Sequence, residues 1–312
     1  MTTAIRPAAT VLLLREHRDE IEVLMTRRHR AMSFMGGLWV YPGGKLDEAD
    51  ASAAALSRLT AAARIQCERV ISGGPLRRFA PEKALGLFVA ACRETFEEVG
   101  MLLARNADGS PCDPGVADRL QGERQGVLKE PDHFARVLVD HSLFLDVSAL
   151  LYWSHWITPS AEPKRFDTHF FVIPAPAGQS VHMDAGEATE WRWMRPRDAL
   201  AEWKRRQFPL SPPTLLTLQE IEHSRGQHGS LAALLAAEAG REVATILPKI
   251  VRSADVGHTF MPWHPEYDQA PGQGVPPGLH YPAHLSRLPA VLSLNDYLDG
   301  KDYLDGIDNK AG

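Results

Sequence analysis

Cysteine is scarce in this chain. Three occur in 312 residues, Cys67, Cys92 and Cys112, and no two stand at CxxC spacing. That excludes a disulfide scaffold and a cysteine-built zinc site, and it suits a reducing compartment. Long apolar runs are also missing. Ala8 to Leu14 is interrupted by Arg15, is too short to span a bilayer and is followed by no small-residue cleavage site, so it reads as a buried strand. Nor is there a surplus of positive charge. The 34 Lys and Arg against 39 Asp and Glu give a net charge of −5, which argues against a nucleic-acid partner gripped by its phosphate backbone. A small phosphate-bearing ligand held by a few arginines stays open. Nucleophile and zinc signatures are absent too: no GxSxG, and thirteen histidines without an HExxH pair. His155 and His169 fall in strands and read as satisfied by neighbours, while His264 has no obvious partner. The chain closes on DNKAG, with no peroxisomal or ER-retention tripeptide. The expectation is a cytoplasmic protein with no membrane partner.

What is present is an ordinary globular composition, 44% hydrophobic and 23% charged, enough for a substantial core. Thr10 to Leu14 and Glu22 to Thr26 predict two strands joined by REHRDEI, a hairpin. A basic stretch with Arg27, Arg28 and Arg30 follows, then a short strand at Leu38 to Tyr41 and a tight turn at Pro42-Gly43-Gly44. Residues 51–71, rich in Ala and Leu, predict a helix closed by SGGP. Pro81 opens a second helix that runs to Gly100. Asn106 to Pro131 reads as loop with at most a short helix, and 133–139 as helical. YWSHWIT (152–158), RFDTHFFVI (165–173) and TEWRWM (189–194) predict strands; Arg197 to Arg206, the stretch opened by Ser211-Pro212-Pro213, and Leu231 to Glu238 predict helices. From about Ile246 proline and glycine become frequent, which predicts an irregular tail packed on the domain, with room for a hairpin and a mobile last dozen residues. DYLDG recurs at 296 and 302 without making a repeat architecture.

The chemistry concentrates in ACRETFEEVG, residues 91–100. Glu94, Glu97 and Glu98 stand at i, i+3 and i+4, so their carboxylates share one helix face. With Gly100 as the left-handed stop, they also sit at the negative end of the helix dipole. Stability alone would place Lys or Arg there. A solvated acidic face is the plain explanation; a hard divalent cation, which takes carboxylate and phosphate oxygens, is the functional one.

The surrounding residues favour the second. Arg93-Glu94-Thr95-Phe96-Glu97-Glu98-Val99-Gly100-Met101 resembles the second half of the Nudix hydrolase box, with Thr95 at an apolar position. Gly44, then KLDEA, then Asp50 resembles the first half, with aspartate in place of glutamate. Between Asp50 and Arg93 lie 42 residues where the box has seven, so the motif is split by an insertion of about 35, roughly residues 51–85. Together with MTRR (25–28), FMGGLWVYPGGKLD (34–47), WITP (156–159) and RFDTHFF (165–171), the pattern is similar to the coenzyme A diphosphatase-like subset of that superfamily.

The resemblance implies an α/β fold, the Nudix α/β/α sandwich with a mixed sheet, a helical insertion within the box and an irregular C-terminal extension. The domain would span 1–245 and the extension 246–312. Glu94, Glu97 and Glu98 would bind Mg²⁺ or Mn²⁺, Arg93 would hold Glu97, Gly44 would let the backbone pass close to metal and phosphates beside Gly43, and Gly100 would end the helix. Asp50 would be structural or an outer ligand. The box does not fix the general base; Glu187 and Glu190 are the candidates. Arg27, Arg28 and Arg165 are candidates for phosphate oxygens, with pairing to Asp167 or to the acidic cluster as the alternative for Arg165, and Trp153, Trp156, Trp191 and Trp193 for an adenine platform. The implied reaction is metal-dependent hydrolysis of a pyrophosphate in a small nucleotide, coenzyme A or acyl-coenzyme A first, ADP-ribose or NADH as alternatives. A Nudix-fold nucleotide-binding regulator is the non-catalytic rival. A homodimer is left open.

Overall fold

The computed structural model describes residues 4–32, 34–184, 186–252, 257–276 and 279–293. The first two strands, β1 (Arg6–His17) and β2 (Glu20–Arg28), make the expected hairpin. They run longer than the sequence suggests because only Arg18 and Asp19 turn, at φ 51° and 60°, the pair of positive values a two-residue type I′ connection needs. In chain order follow β3 (Trp39–Val40), β4 (Gly43–Lys45), β5 (Ala104–Arg105), β6 (Phe144–Leu145), β7 (Leu151–Ile157), β8 (Phe166–Pro174), β9 (Ala188–Met194), β10 (Thr245–Ile246), β11 (Lys249–Arg252), β12 (Gly257–Phe260) and β13 (Val291–Ser293).

The main sheet has the order β10-β7-β8-β1-β2-β3, with β4 also on β1 and β9 on β2. β1 runs parallel to β8 and β10 parallel to β7; the other pairings are antiparallel, so the sheet is mixed as expected. Val11 to Leu14 are all buried, because this central strand is covered on both faces. Val11 and Leu13 pack with Phe88 and Phe96 of the helix Pro81–Val99, here the box helix. Leu12 and Leu14 pack with Leu215, Leu218 and Ile221 of Pro212–His228. Helices on both faces of a mixed sheet make the α/β/α sandwich.

Three local expectations are corrected. The single helix expected over 51–71 is broken into Ala53–Leu56 and Ala61–Ser72. Ser52 Oγ accepts from the Ala55 N–H at 3.2 Å and Thr60 Oγ1 from that of Ala63 at 3.1 Å; each hydroxyl begins a new helix where a non-polar side chain would continue the old one. Gly43 and Gly44 do not form a turn. They lie in β4, opposite Thr10 and Ala9 of β1. The stretch 106–131 holds two short helices, Pro114–Arg119 and Arg124–Lys129, too polar and too brief for periodicity to reveal.

The second of those helices and the 3-10 turn Leu120–Glu123 that joins the two have a task. Gln121 Nε2 donates to the Gly100 carbonyl at 2.8 Å, and Arg124 Nη2 to the Glu97 carbonyl at 2.6 Å. The positive charge missing from the last turn of the box helix therefore arrives from a different segment, at the end where the dipole favours it.

β10 straddles the boundary expected at 245/246 and joins the main sheet beside β7. Beyond it, β11, β12 and β13 form a separate antiparallel sheet. His264, which lacks a partner in the sequence reading, stacks on Phe260 with ring centroids 4.1 Å apart and accepts from the Glu266 N–H at 3.1 Å. The DYLDG recurrence and the last dozen residues lie outside the described residues. Among the described residues no helix is long and apolar enough to cross a membrane.

Candidate active site

The box helix is buried from Ala84 to Val99, its acids included. It opens at Pro81 and stops at Gly100, whose φ of 71° is the left-handed conformation that glycine tolerates. Its last two turns bring Glu94, Glu97 and Glu98 to a cleft of about 630 Å³, lined also by Gly43, Gly44, Arg28 and Glu187. That is the size of a pocket for a nucleotide-sized molecule.

Arg93 organises the acids. Its Nε and Nη2 donate to the two Asp50 oxygens at 2.7 and 2.9 Å, and its Nη1 donates to Glu97 Oε1 at 2.9 Å. Nη2 reaches the Lys45 carbonyl at 3.0 Å, and Glu94 Oε1 lies 3.1 Å from Nη1. Asp50 is thus engaged on both oxygens, and Oδ2 also accepts from the Asp47 N–H at 2.9 Å. Its geometry is that of a brace for Arg93; the outer-ligand alternative is not supported.

The backbone of β4 completes the floor. The Gly43 N–H donates to Glu98 Oε2 at 3.1 Å. A Cβ on residue 44 would lie 2.5 Å from the Glu94 carboxylate, so any larger residue here would push that carboxylate out of place.

Burial sets the electrostatics. It pushes Glu94 up to about 8; Arg93 opposes that shift, while Glu97, Asp50 and Glu187 reinforce it. Glu97 is raised because burial outweighs its bond to Arg93. Glu98 is raised well above the carboxylate range by burial, by Glu94 and by the neighbouring Glu187 carboxyl. Acid exceeds base here, and the donor set is all oxygen.

A hard divalent cation fits that imbalance. The three glutamates do not close to within 4.8 Å of one another as a set; among the described residues only His155, Asp167 and His169 do. Mg²⁺ retains waters and needs few direct carboxylates, so the looser spacing suits it. The histidine set is different in kind. His155 Nε2 lies 2.6 Å from Asp167 Oδ1, His155 Nδ1 2.9 Å from Thr245 Oγ1, and His169 Nδ1 2.7 Å from Tyr152 Oη. Arg78 of the insertion binds the other Asp167 oxygen, setting a cation where a metal would have to sit. His155 is satisfied by neighbours on both nitrogens, as the sequence suggests; His169 bonds Tyr152 through Nδ1, while its buried Nε2 lies 3.3 Å from Asp167 Oδ1 without a hydrogen bond.

The remaining candidates divide. Glu187 is pinned at the cleft: its carbonyl accepts from the His29 N–H at 2.9 Å, and the Asp184 N–H nearby donates to the Glu98 carbonyl at 2.9 Å. Glu190 is not at the cleft. It is the cross-strand partner of Arg27, which donates to it at 2.9 Å. Successive residues of β2 point to opposite faces, so Arg28 lines the cleft and Arg27 does not. Among the described residues, buried Arg28 Nε has no hydrogen-bond partner.

Arg165 also stays out of the cleft, and it does not pair with Asp167. It donates to the Thr158 carbonyl at 3.0 Å and to Gln273 Oε1 at 2.9 Å, tying the extension to the domain. Of the tryptophans only Trp156 lines the cleft. Trp153 bonds Glu220 at 3.2 Å, Trp193 lies under Arg15, and Trp191 is exposed. The sequence reading missed Phe34 and Phe166, cleft residues whose rings lie 4.9 Å apart. Phe166 carried a signal, since it alternates with Asp167 in β8; Phe34, in a loop, carried none.

A split box that closes on a sandwich of this topology, with its acids under the sheet edge, defines a Nudix protein. More narrowly, the chain belongs to the NUDT19 Nudix domain family, whose model matches residues 5–221. It is 27% identical over 230 residues to the acyl-coenzyme A diphosphatase NUDT19 of Xenopus laevis, covering 66% of this chain and 60% of that protein. Against the Homo sapiens protein of the same name it is 29% identical over 230 residues, covering 65% and 61%. The match therefore spans about three fifths of these relatives' length. Among solved structures, a NUDIX hydrolase from Alicyclobacillus acidocaldarius is similar at 28% identity and TM-score 0.56, covering 77% of this chain and 95% of that one.

Proposed function

We propose that the protein hydrolyses the pyrophosphate bond of a nucleoside diphosphate linked to a further group, with Mg²⁺ or Mn²⁺ as cofactor and coenzyme A or acyl-coenzyme A as substrate. The products would be 3′,5′-ADP and a 4′-phosphopantetheine portion. The observation that carries this reading is the meeting of Glu94, Glu97 and Glu98 with Gly44 and Glu187 in one cleft. The names of the relatives support the substrate.

Glu94, Glu97 and Glu98 would hold the cation, which when bound neutralises phosphate charge and lowers the pKa of a coordinated water. The chain's own groups do the rest. Arg93 keeps Glu97 in one rotamer, and the Gly43 N–H orients Glu98. Glu187, which lines the cleft with Glu98, would accept the proton from the attacking water. Arg28, with an unused N–H, is placed to meet a phosphate oxygen.

The test is turnover on a panel of coenzyme A, an acyl-coenzyme A, ADP-ribose and NADH with Mn²⁺, beside Glu98→Gln. Release of 3′,5′-ADP, reduced at least about a hundredfold in the variant, is the expected result. Cleavage of ADP-ribose or NADH alone moves the substrate to those alternatives. Nucleotide binding without cleavage of any member supports the non-catalytic regulator.

A further inference from the structure

The residues that complete the cleft come from the extension, beyond the span that the family model matches. Pro248, Ile250 and Thr259 line the same cavity as the acids, although the match ends at residue 221. Their placement is built. Ile250 of β11 pairs directly with Thr259 of β12, and cross-strand partners project from one face. Pro248 and Ile250, two residues apart, share that face, and Lys249 between them points away. Lys249 is buried; its Nζ donates to the carbonyls of Tyr267 at 2.9 Å and Ala270 at 2.8 Å. The extension is also strapped to the cleft mouth. Arg165 bonds Gln273, and the Gln273 N–H donates to Ser160 Oγ at 3.0 Å, beside the cleft residues Thr158 and Pro159.

The cavity thus has two chemistries. Its floor is acidic and suits a cation and a diphosphate. Much of the rest is apolar, contributed by Phe34, Met35, Phe166, Pro212, Pro248 and Ile250. A diphosphate has no use for such a surface; an attached aliphatic chain does, at about 0.8 kcal/mol for each methylene taken from water.

We propose that the β11–β12 pair is the specificity wall of this enzyme: Ile250 contacts the acyl chain of an acyl-coenzyme A and makes the protein prefer acylated over free coenzyme A. This rests on the coenzyme A reading given above and adds which residues read the acyl group.

The test compares dodecanoyl-coenzyme A with coenzyme A in the wild type, Ile250→Asp and Ile250→Leu, with circular dichroism confirming the fold. The expected result is that the ratio of kcat/KM for the acylated over the free substrate falls at least about tenfold in Ile250→Asp, mostly through KM, and is retained in Ile250→Leu. Should Ile250→Asp not fold, Ile250→Ser is read the same way. Equilibrium binding of the two ligands in EDTA gives the same ratio without turnover. A ratio that does not change in the aspartate or serine variant, or a wild type with no preference for the acylated ligand, overturns the wall. A wild type that neither binds nor cleaves any coenzyme A ligand overturns the substrate reading instead, and the two failures are told apart by that measurement.

Discussion

Arg93 and Asp50 face each other across the split motif, joined by two hydrogen bonds of 2.7 and 2.9 Å and both almost wholly buried. The insertion leaves from Asp50 and returns into the helix that carries Arg93, so this pair reunites what the chain separates. The same guanidinium then holds Glu97. Asp50→Ala is expected to destabilise the protein by about 3–5 kcal/mol, the range for leaving one member of a buried ion pair alone. Urea denaturation measures it. A loss below about 1 kcal/mol would mean that Arg93 finds its partners without Asp50.

Glu187 and Glu190 are three residues apart and separate the functional reading from the structural one. Glu187 lines the cleft beside Glu98, whereas Glu190 lies away from it, half-buried and engaged by Arg27 and Arg192. Glu187→Gln should lower kcat by about 10²–10⁴-fold, the range for a general base. Glu190→Gln should leave kcat within about threefold, since a surface ion pair contributes little. Steady-state kinetics on both variants decides; equal losses would remove Glu187 as the base.

What was legible in the sequence follows from how far apart the partners lie. The box helix, its stop at Gly100 and its acidic face are local patterns, and they stand as read. The choice between Arg27 and Arg28 depends on which face of β2 looks into the cleft, and β9 slips register against β2 at those two residues. No local pattern reports that slip. Arg124 reaches the box helix from 27 residues away, and Ile250 enters the cleft through the antiparallel β11–β12 pair, for which the sequence leaves room as a hairpin without saying what it faces. Short helices capped by Ser52 and Thr60 were legible in principle, because a hydroxyl three residues before its N–H is a helix-start signal inside an apolar stretch.

Asp167 offers a test of how the insertion is held. It accepts from His155 and binds Arg78, the insertion's last residue before Phe79, which packs edge-on against His169 with ring centroids 5.7 Å apart. Asp167→Asn keeps the shape and removes the charge. The expected loss is about 1.5–3 kcal/mol, the range for a hydrogen bond to a charged group, toward the lower end because the Arg78 side chain is 37% exposed. Limited proteolysis should then cut within 57–80 first. Unchanged cleavage there would show that apolar packing alone docks the insertion.

The acids make stability depend on pH in a direction opposite to the usual carboxylate. Glu94 moves from 4.5 up to about 8 on folding, so the folded state holds a proton that the unfolded state has released. Its contribution is fully present below about 4.5 and is lost as pH rises through 8. His155, lowered to about 3 by burial, acts below its ordinary 6.5, and Asp167, lowered by its histidine partners against burial, acts lower still. Between about pH 7 and 9 the glutamates therefore dominate. In EDTA, Tm should fall across that window by a few degrees, on the order of 1 kcal/mol for a group crossing its pKa. Because the same proton must leave before a carboxylate can bind a cation, the Tm gain from Mg²⁺ or Mn²⁺ should grow over that range. Thermal denaturation at pH 7, 8 and 9 with and without metal reads both trends. A metal-free Tm that rises with pH would show that these glutamates are already ionised in the folded state, and would overturn the proton release that makes the metal gain grow over this window.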